Sequence, residues 1–308
     1  MRPLPFVGVL LGLAGGLAWG AAQERDDRPP VLSVETNLVM LPITVVDRHD
    51  RIVTGLAKEH FTVYDNGERQ SIDFFTSEDL PSTVGLLIDS SSSMRGKREA
   101  VTAAATGFAA MSHPLDELFT LNFNEAVWPG LPPRVAFAEN AEQLRAALSA
   151  APAQGMTALY DAVYRGLDHL ELGTRGRKAL IVVSDGGDNA SSRTIDAVLE
   201  HARRIGVAIY AVTLRDPDNP DARPGVLKKL ASETGGTVFK AKDNAEVADS
   251  FAQIAREIRS GYTIGFSPSD PSDEGFHAVR VVVNDGHRRA LVVRTRAGYY
   301  AGQKGDAR

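Results

Sequence analysis

Three short polar segments carry the side chains whose types and spacing fit metal chemistry. In "LIDSSSSM", Asp89, Ser91 and Ser93 occupy alternate positions after an apolar run, so all three side chains are able to point the same way. Thr157 lies in "QGMTALYDA" just before a helical pattern, and Asp185 follows the apolar run "LIVVS". Hard divalent cations take carboxylate and hydroxyl oxygens as ligands. The segments therefore predict a cation site for Mg²⁺, or for Mn²⁺ or Ca²⁺.

Other chemistry fits these residues less well. The sequence lacks the Gly-x-Ser-x-Gly pattern of a hydrolase elbow, and Lys97 lies one position too far from Ser93 for a Ser-x-x-Lys pair. Neither a phosphate-binding P-loop nor a His-Glu-x-x-His metal motif is present. Taken singly, the serine run and Thr157 are equally typical of helix caps, and Asp185-Gly186 of a turn. The interpretations as helix caps and as a turn therefore remain alternatives to a cation site.

Strand and helix patterns alternate around the three segments. Apolar, β-branched runs at 84–88, 118–123, 178–184, 207–214 and 236–241 predict strands. Between and after them, helical patterns cover 97–111, 141–148, 158–170, 194–204, 225–234 and 245–258. This alternation predicts an α/β fold with a doubly wound, mostly parallel sheet, Rossmann-like in type. The polar segments then lie at the carboxyl ends of strands, where such sheets bind ligands.

The regions on either side of this domain have the pattern of β structure. Period-two alternation and short apolar runs predict strands within 31–80 and again within 261–302. Asp65-Asn66-Gly67 and Asp285-Gly286 are turn sequences typical of hairpins. Because neither region has enough strands for a stable sheet alone, we expect them to pair into one small β-sandwich.

The amino terminus has the composition of an export signal. One arginine, an apolar run and small residues predict a signal peptide at 1–22, followed by a polar linker at 23–30; an uncleaved anchor is the alternative. We expect a secreted or periplasmic protein with no membrane span in the mature chain. The net charge of −5 argues against nucleic acid as a partner, and the absence of cysteine excludes disulfides and lipoprotein anchoring.

The combination of motifs resembles the von Willebrand factor A domain. Asp-x-Ser-x-Ser after one strand, Gly-x-Thr-x-Leu-Tyr-Asp before a helix and Ser-Asp-Gly after another strand carry the resemblance, which covers about 82–260. It implies that Asp89, Ser91, Ser93, Thr157 and Asp185 form a metal-ion-dependent adhesion site. Ser92 stands where many members carry glycine, and the flanking segments are similar to those of a bacterial group of exported proteins.

The resemblance also implies a function. In such a site the bound cation keeps an exchangeable position that an Asp or Glu of a partner protein fills, so we expect an adhesion-type binding module and not an enzyme. Two alternatives are a scaffold whose metal only stabilises the loops and a metal-dependent hydrolase. Asp161 and Asp188 are expected either to support the metal ligands or to be merely solvated.

Overall fold

A computed structural model describes residues 38–149, 153–214, 223–270, 274–286 and 290–301. The predicted signal peptide and linker, at 1–22 and 23–30, lie outside the described residues. Fourteen strands are present in this part of the chain: β1 Val39–Asp47, β2 Phe61–Asp65, β3 Glu68–Gln70, β4 Phe74–Thr76, β5 Ser82–Asp89, β6 Glu117–Phe123, β7 Val127–Pro129, β8 Arg177–Val183, β9 Ala208–Leu214, β10 Val238–Ala241, β11 Tyr262–Phe266, β12 Gly275–Val283, β13 Leu291–Arg294 and β14 Gly298–Ala301.

Six α-helices occur in the same described ranges: α1 Arg98–Met111, α2 Ala141–Ser149, α3 Leu159–Leu170, α4 Ile195–Ile205, α5 Pro224–Thr234 and α6 Asn244–Arg259. Their bounds follow the predicted helical patterns closely. None of these helices combines the length and the hydropathy that a bilayer crossing requires.

A six-stranded sheet forms the centre of the α/β domain, in the order β10-β9-β8-β5-β6-β7. All its strands are parallel except β7, which pairs antiparallel with β6. After β5 the chain continues on one side through β6 and β7, and then returns to the other side of β5 with β8. The sheet is therefore doubly wound, as predicted, with its switch point between β5 and β8.

Strand β5 is buried along its whole length because helices cover both faces of the sheet. Val84, Leu86 and Ile88 pack with residues of α1, α2 and α6 on one face. Leu87 packs on the opposite face with residues of α3, α4 and α5. Burial on both faces explains why the strand reads as a continuous apolar run rather than as an alternating one.

Two antiparallel sheets are built from the strands at both ends of the chain. Their strand orders are β13-β1-β11-β4 and β14-β12-β2-β3. Both contribute to one core, which contains Leu41 and Tyr262 from the first sheet and Val63 and Tyr299 from the second. The predicted sandwich of amino- and carboxyl-terminal strands is thus confirmed; its residue boundaries stay a prediction.

The two predicted hairpins have different outcomes. Asn66 and Gly67 adopt positive φ angles of 47° and 88° and join β2 to its antiparallel partner β3. The prediction of a hairpin at Asp285-Gly286 is wrong, because the strands on either side of it, β12 and β13, do not pair with each other. Strand β12 pairs with β14 and β2, whereas β13 pairs with β1 in the other sheet. Gly286 does turn the chain, with a φ of 73°. The turn carries the chain from one sheet to the other because β13 extends the edge beside β1.

Candidate functional site

The loops that follow β5 and β8 lie side by side because these strands are neighbours in the sheet. Asp89 is the last residue of β5 and is 0% exposed. Asp185 stands two residues beyond the end of β8 and is 5% exposed. Between them, the Ser184 hydroxyl donates a hydrogen bond to Asp89 Oδ2 at 2.7 Å. The structure thus brings these two carboxylates into one polar cluster at the switch point of the sheet.

The serine run turns sharply after β5. The Ser91 N–H donates to Asp89 Oδ1 at 2.8 Å, and a short 3₁₀ turn covers Ser92–Met94. Ser91 Oγ and Ser93 Oγ lie 3.2 Å apart and share a hydrogen bond, so both hydroxyls are on the same side of the loop. Ser91 is buried and Ser93 partly exposed, an arrangement that leaves the cluster accessible at its outer end.

Thr157 belongs to a third loop, whose backbone groups form hydrogen bonds with the other two loops. Its N–H donates to Asn189 Oδ1 at 2.8 Å, and its carbonyl accepts from the N–H groups of Asn189 and Ala190 at 3.0 and 3.1 Å. On the opposite side, the Gly155 carbonyl accepts from Ser92 N–H at 3.3 Å. These contacts place the segment containing Thr157 between the loops that carry the aspartates.

The alternative interpretation of the serine run and Thr157 as helix caps is wrong. The residue in the cap position before α3 is Ala158, and the first N–H groups of that helix donate to Asp188 Oδ1 and Ser191 Oγ, so Thr157 does not act as the cap. Ser91 precedes the 3₁₀ turn but makes no side-chain capping bond to it. The turn reading of Asp185 is confirmed in part, because its Oδ1 accepts from Gly187 N–H at 3.1 Å and Gly186 has a φ of 85°.

Burial and like charge make this cluster favourable for a cation. Burial raises the pKa of Asp89, and the nearby Asp185 carboxylate raises it further, whereas hydrogen bonds from Ser91 and Ser184 act in the opposite direction. Two carboxylates close together in a poorly hydrated place are destabilised when both are ionised. A divalent cation offsets this repulsion, so the donor set of two carboxylates and three hydroxyls fits Mg²⁺, Mn²⁺ or Ca²⁺.

A group of three or more His, Cys, Asp or Glu side chains arranged for metal binding is not found in the described ranges. The predicted set depends on hydroxyls for most of its ligands, since it contains only two acidic residues, Asp89 and Asp185.

Asp161 and Asp188 hold the loop after β8 in place. Asp161 accepts hydrogen bonds from the Ser192 and Arg193 N–H groups at 2.9 and 3.0 Å, and also from the Ser192 hydroxyl. Asp188 Oδ1 accepts from Tyr160 N–H at 3.2 Å and from the Ser191 hydroxyl at 2.6 Å. Both carboxylates thus join α3 to the loop that carries Asp185.

Ser184 is a site residue that the sequence reasoning missed. Its hydroxyl donates to Asp89 and accepts from Gly186 N–H at 3.1 Å, so it fixes both the carboxylate and the turn after β8. The available signal was its position: Ser184 follows Val183 and precedes Asp185, which puts a fully buried hydroxyl at the end of a central strand.

Fold and site together define an α/β domain with an oxygen-rich cluster on the carboxyl edge of a doubly wound sheet. A profile of the von Willebrand factor type A domain matches residues 84–253, more than half of the chain. The chain therefore belongs to the von Willebrand factor type A family.

A solved structure supports the same fold. The von Willebrand factor type A protein from Catenulispora acidiphila is similar at a TM-score of 0.53 and 13% identity, with 87% of this chain and 76% of that chain covered. The vWF domain of the type V pili tip protein Mfa5 from Porphyromonas gingivalis has a TM-score of 0.49 at 14% identity, covering 58% of this chain and 95% of that chain. The first of these likenesses shows the fold alone, because the identity is low. No curated protein matches the sequence.

Proposed function

We propose that the chain is an exported protein-binding module that captures an Asp or Glu of a partner protein through a divalent cation. The metal ligands are Asp89, Ser91, Ser93, Thr157 and Asp185, and the cation is Mg²⁺, Mn²⁺ or Ca²⁺. The observation that carries the proposal is the meeting of two buried carboxylates with a pair of aligned serine hydroxyls at the switch point of the sheet. Membership of a family whose domains are generally protein-interaction modules supports it.

Each part of the chain has a distinct role in this mechanism. Ser91 N–H and the Ser184 hydroxyl hold the Asp89 carboxylate by one oxygen each, and Gly187 N–H holds Asp185 in the same way. The hydroxyls of Ser91, Ser93 and Thr157 are neutral, so they supply ligands without cancelling positive charge. When bound, the cation supplies a coordination position that a partner carboxylate is able to fill. Because Ser93 is partly exposed, the outer end of the cluster would be accessible to a side chain of the partner.

The test of this function uses Mn²⁺ as a paramagnetic probe in the metal-free protein. Bound Mn²⁺ enhances the relaxation of water protons, and a carboxylate that replaces a metal-bound water lowers this enhancement. We expect a Glu-containing peptide to lower it and the matched Gln-containing peptide to leave it unchanged. Mn²⁺ binding without any effect of carboxylate would instead favour a metal-stabilised scaffold. Metal-dependent turnover of a phosphoester, ester or peptide panel would favour a hydrolase.

A second prediction concerns Ser184, which contacts a proposed ligand without being one. Replacing Ser184 with alanine removes the hydroxyl that fixes Asp89 Oδ2 and accepts from Gly186 N–H. Loss of such an orienting partner lowers metal affinity about 10–100-fold in known sites. We expect a decrease of this size in Mg²⁺ affinity by calorimetry, with rescue by Ser184→Thr. Unchanged affinity in a folded Ser184→Ala protein would show that Asp89 needs no such support, or is not a ligand.

A further inference from the structure

A groove of about 610 Å³ lies between the α/β domain and the first antiparallel sheet. One wall consists of α5 and β10, and the other of β13 and the residues after it. Residues that line it include Lys228, Ser232, Val238, Lys240, Val293 and Thr295. Its volume lies in the range of ligand-binding clefts in proteins.

One wall of the groove is an open strand edge. Among the residues that the structure describes, β10 is the last strand of the six-stranded sheet and has β9 as its one partner strand. The Thr237 carbonyl accepts from Ala211 N–H at 3.0 Å, so it points towards β9. Since backbone direction alternates along a strand, the backbone groups of Val238 and Lys240 point away from β9, towards the groove. Such an edge is a template for an added strand.

The groove also carries positive charge that the described chain does not neutralise. Lys228 and Lys240 are exposed, and within the described ranges neither ammonium has a hydrogen-bond or ion-pair partner. Arg294, on the opposite wall, is already paired with Glu257 and Asp50. The two lysines are therefore available to a ligand, and the ligand that complements them is acidic.

We propose that this groove binds an extended acidic segment of a partner protein, which adds a strand to β10 and places its carboxylates near Lys228 and Lys240. A second copy of this chain is a poor occupant, because edge-to-edge pairing of two β10 strands would bring lysines together. The lining of this groove includes none of the five proposed metal ligands, and binding there needs no cation.

The experiment uses a peptide of alternating Glu and Val, which presents all its carboxylates on one face when extended. The chain contains no cysteine, so Ser232→Cys gives a single labelling position for an environment-sensitive dye inside the groove. Ala146→Cys, on the exposed side of α2, is the matched label outside it. All titrations contain EDTA, so that carboxylate binding at a metal cannot contribute. We expect saturable binding reported by the dye at residue 232 only.

Two further comparisons separate the contribution of the lysine charges to peptide binding from that of backbone hydrogen bonds. Reversing both lysines, Lys228→Glu with Lys240→Glu, should weaken peptide binding about tenfold or more, since two exposed ion pairs together contribute about 1.4 kcal/mol. Lys229→Glu, on the same helix but outside the groove lining, should leave affinity nearly unchanged. Methylation of alternate peptide nitrogens should abolish binding, because it blocks strand pairing.

Three results would overturn the proposal: no binding of the acidic peptide, equal binding by the charge-reversed protein, or equal binding of the methylated peptide. If the lysines only protect an open edge, the peptide will not bind, and replacing both by alanine will increase self-association in sedimentation experiments.

Discussion

Mg²⁺ binding is expected to disappear when Asp185 is replaced by alanine, while the fold persists. The substitution removes one of only two carboxylates in the proposed ligand set, and with it half of the negative charge that offsets the cost of dehydrating the cation. The fold should survive because Asp185 lies in a loop two residues beyond the end of β8, outside the strands and helices. Isothermal titration of Mg²⁺ and Mn²⁺ into metal-free protein measures the effect, with circular dichroism to monitor folding.

Asp161→Ala is the matched control, because it removes the same charge from the same region. Asp161 accepts hydrogen bonds from the Ser192 and Arg193 N–H groups of the loop, yet it is not in the proposed ligand set. We expect this variant to retain measurable Mg²⁺ binding. Global unfolding of Asp185→Ala would make Asp185 a structural residue, and equal loss of binding in both variants would point to loop disruption. Absence of binding in the parent would contradict a site complete in this chain alone.

The order of strands and helices in the α/β domain is predictable because the local sequence patterns agree with the fold as a whole. Strands such as Val84–Ile88 are apolar and β-branched, and each is followed by a helical pattern of sufficient length. Asp89 ends one strand and Asp185 lies two residues beyond another, so the parallel arrangement brings both to the same edge of the sheet. This is why the sequence predicts both the sheet and the part of the site that depends on it.

Contacts between distant loops could not be read from the sequence. Thr157 is fastened to Asn189, 32 residues away, by an amide side chain that carries no recognisable motif. The Ser184 hydroxyl reaches Asp89 only because β8 pairs with β5 in one particular register. Likewise, Asp285-Gly286 is a sound turn sequence, but the sheet to which β13 belongs is decided by its pairing with β1, about 250 residues earlier in the chain.

A buried ion pair between α6 and β13 is another such contact, and it carries the second large prediction. Glu257 on α6 is 1% exposed, and Arg294 Nη1 on β13 donates to Glu257 Oε1 at 3.0 Å. Replacing Arg294 with methionine keeps an unbranched apolar stem but leaves the Glu257 carboxylate buried without this cation. Removing one partner of a buried pair costs about 3–5 kcal/mol. Urea unfolding should show a decrease of this size in the free energy of unfolding.

Two further variants separate the lost pair from other effects of the substitution. Arg51→Met removes the surface ion pair with Asp47, and we expect it to leave the free energy of unfolding nearly unchanged. The double variant Glu257→Gln, Arg294→Met should recover most of the lost stability, because it no longer buries a charge. A double variant as unstable as Arg294→Met would show that arginine packing, and not the charge of Glu257, explains the loss.

The pH dependence of stability supplies an independent check on the same pair. Burial raises the pKa of Glu257 above its ordinary value, and the Arg294 guanidinium lowers it. Without Arg294 the folded-state pKa must rise further, so the folded protein binds a proton more readily than the unfolded chain does. The penalty is then fully present above the raised folded-state pKa and is relieved as pH falls through it towards the ordinary glutamate value.

The stability deficit of Arg294→Met should therefore shrink between neutral and mildly acidic pH, and that of the double variant should not. A deficit independent of pH would mean that Glu257 is not ionised in the folded protein, and that α6 and β13 are held together by packing instead.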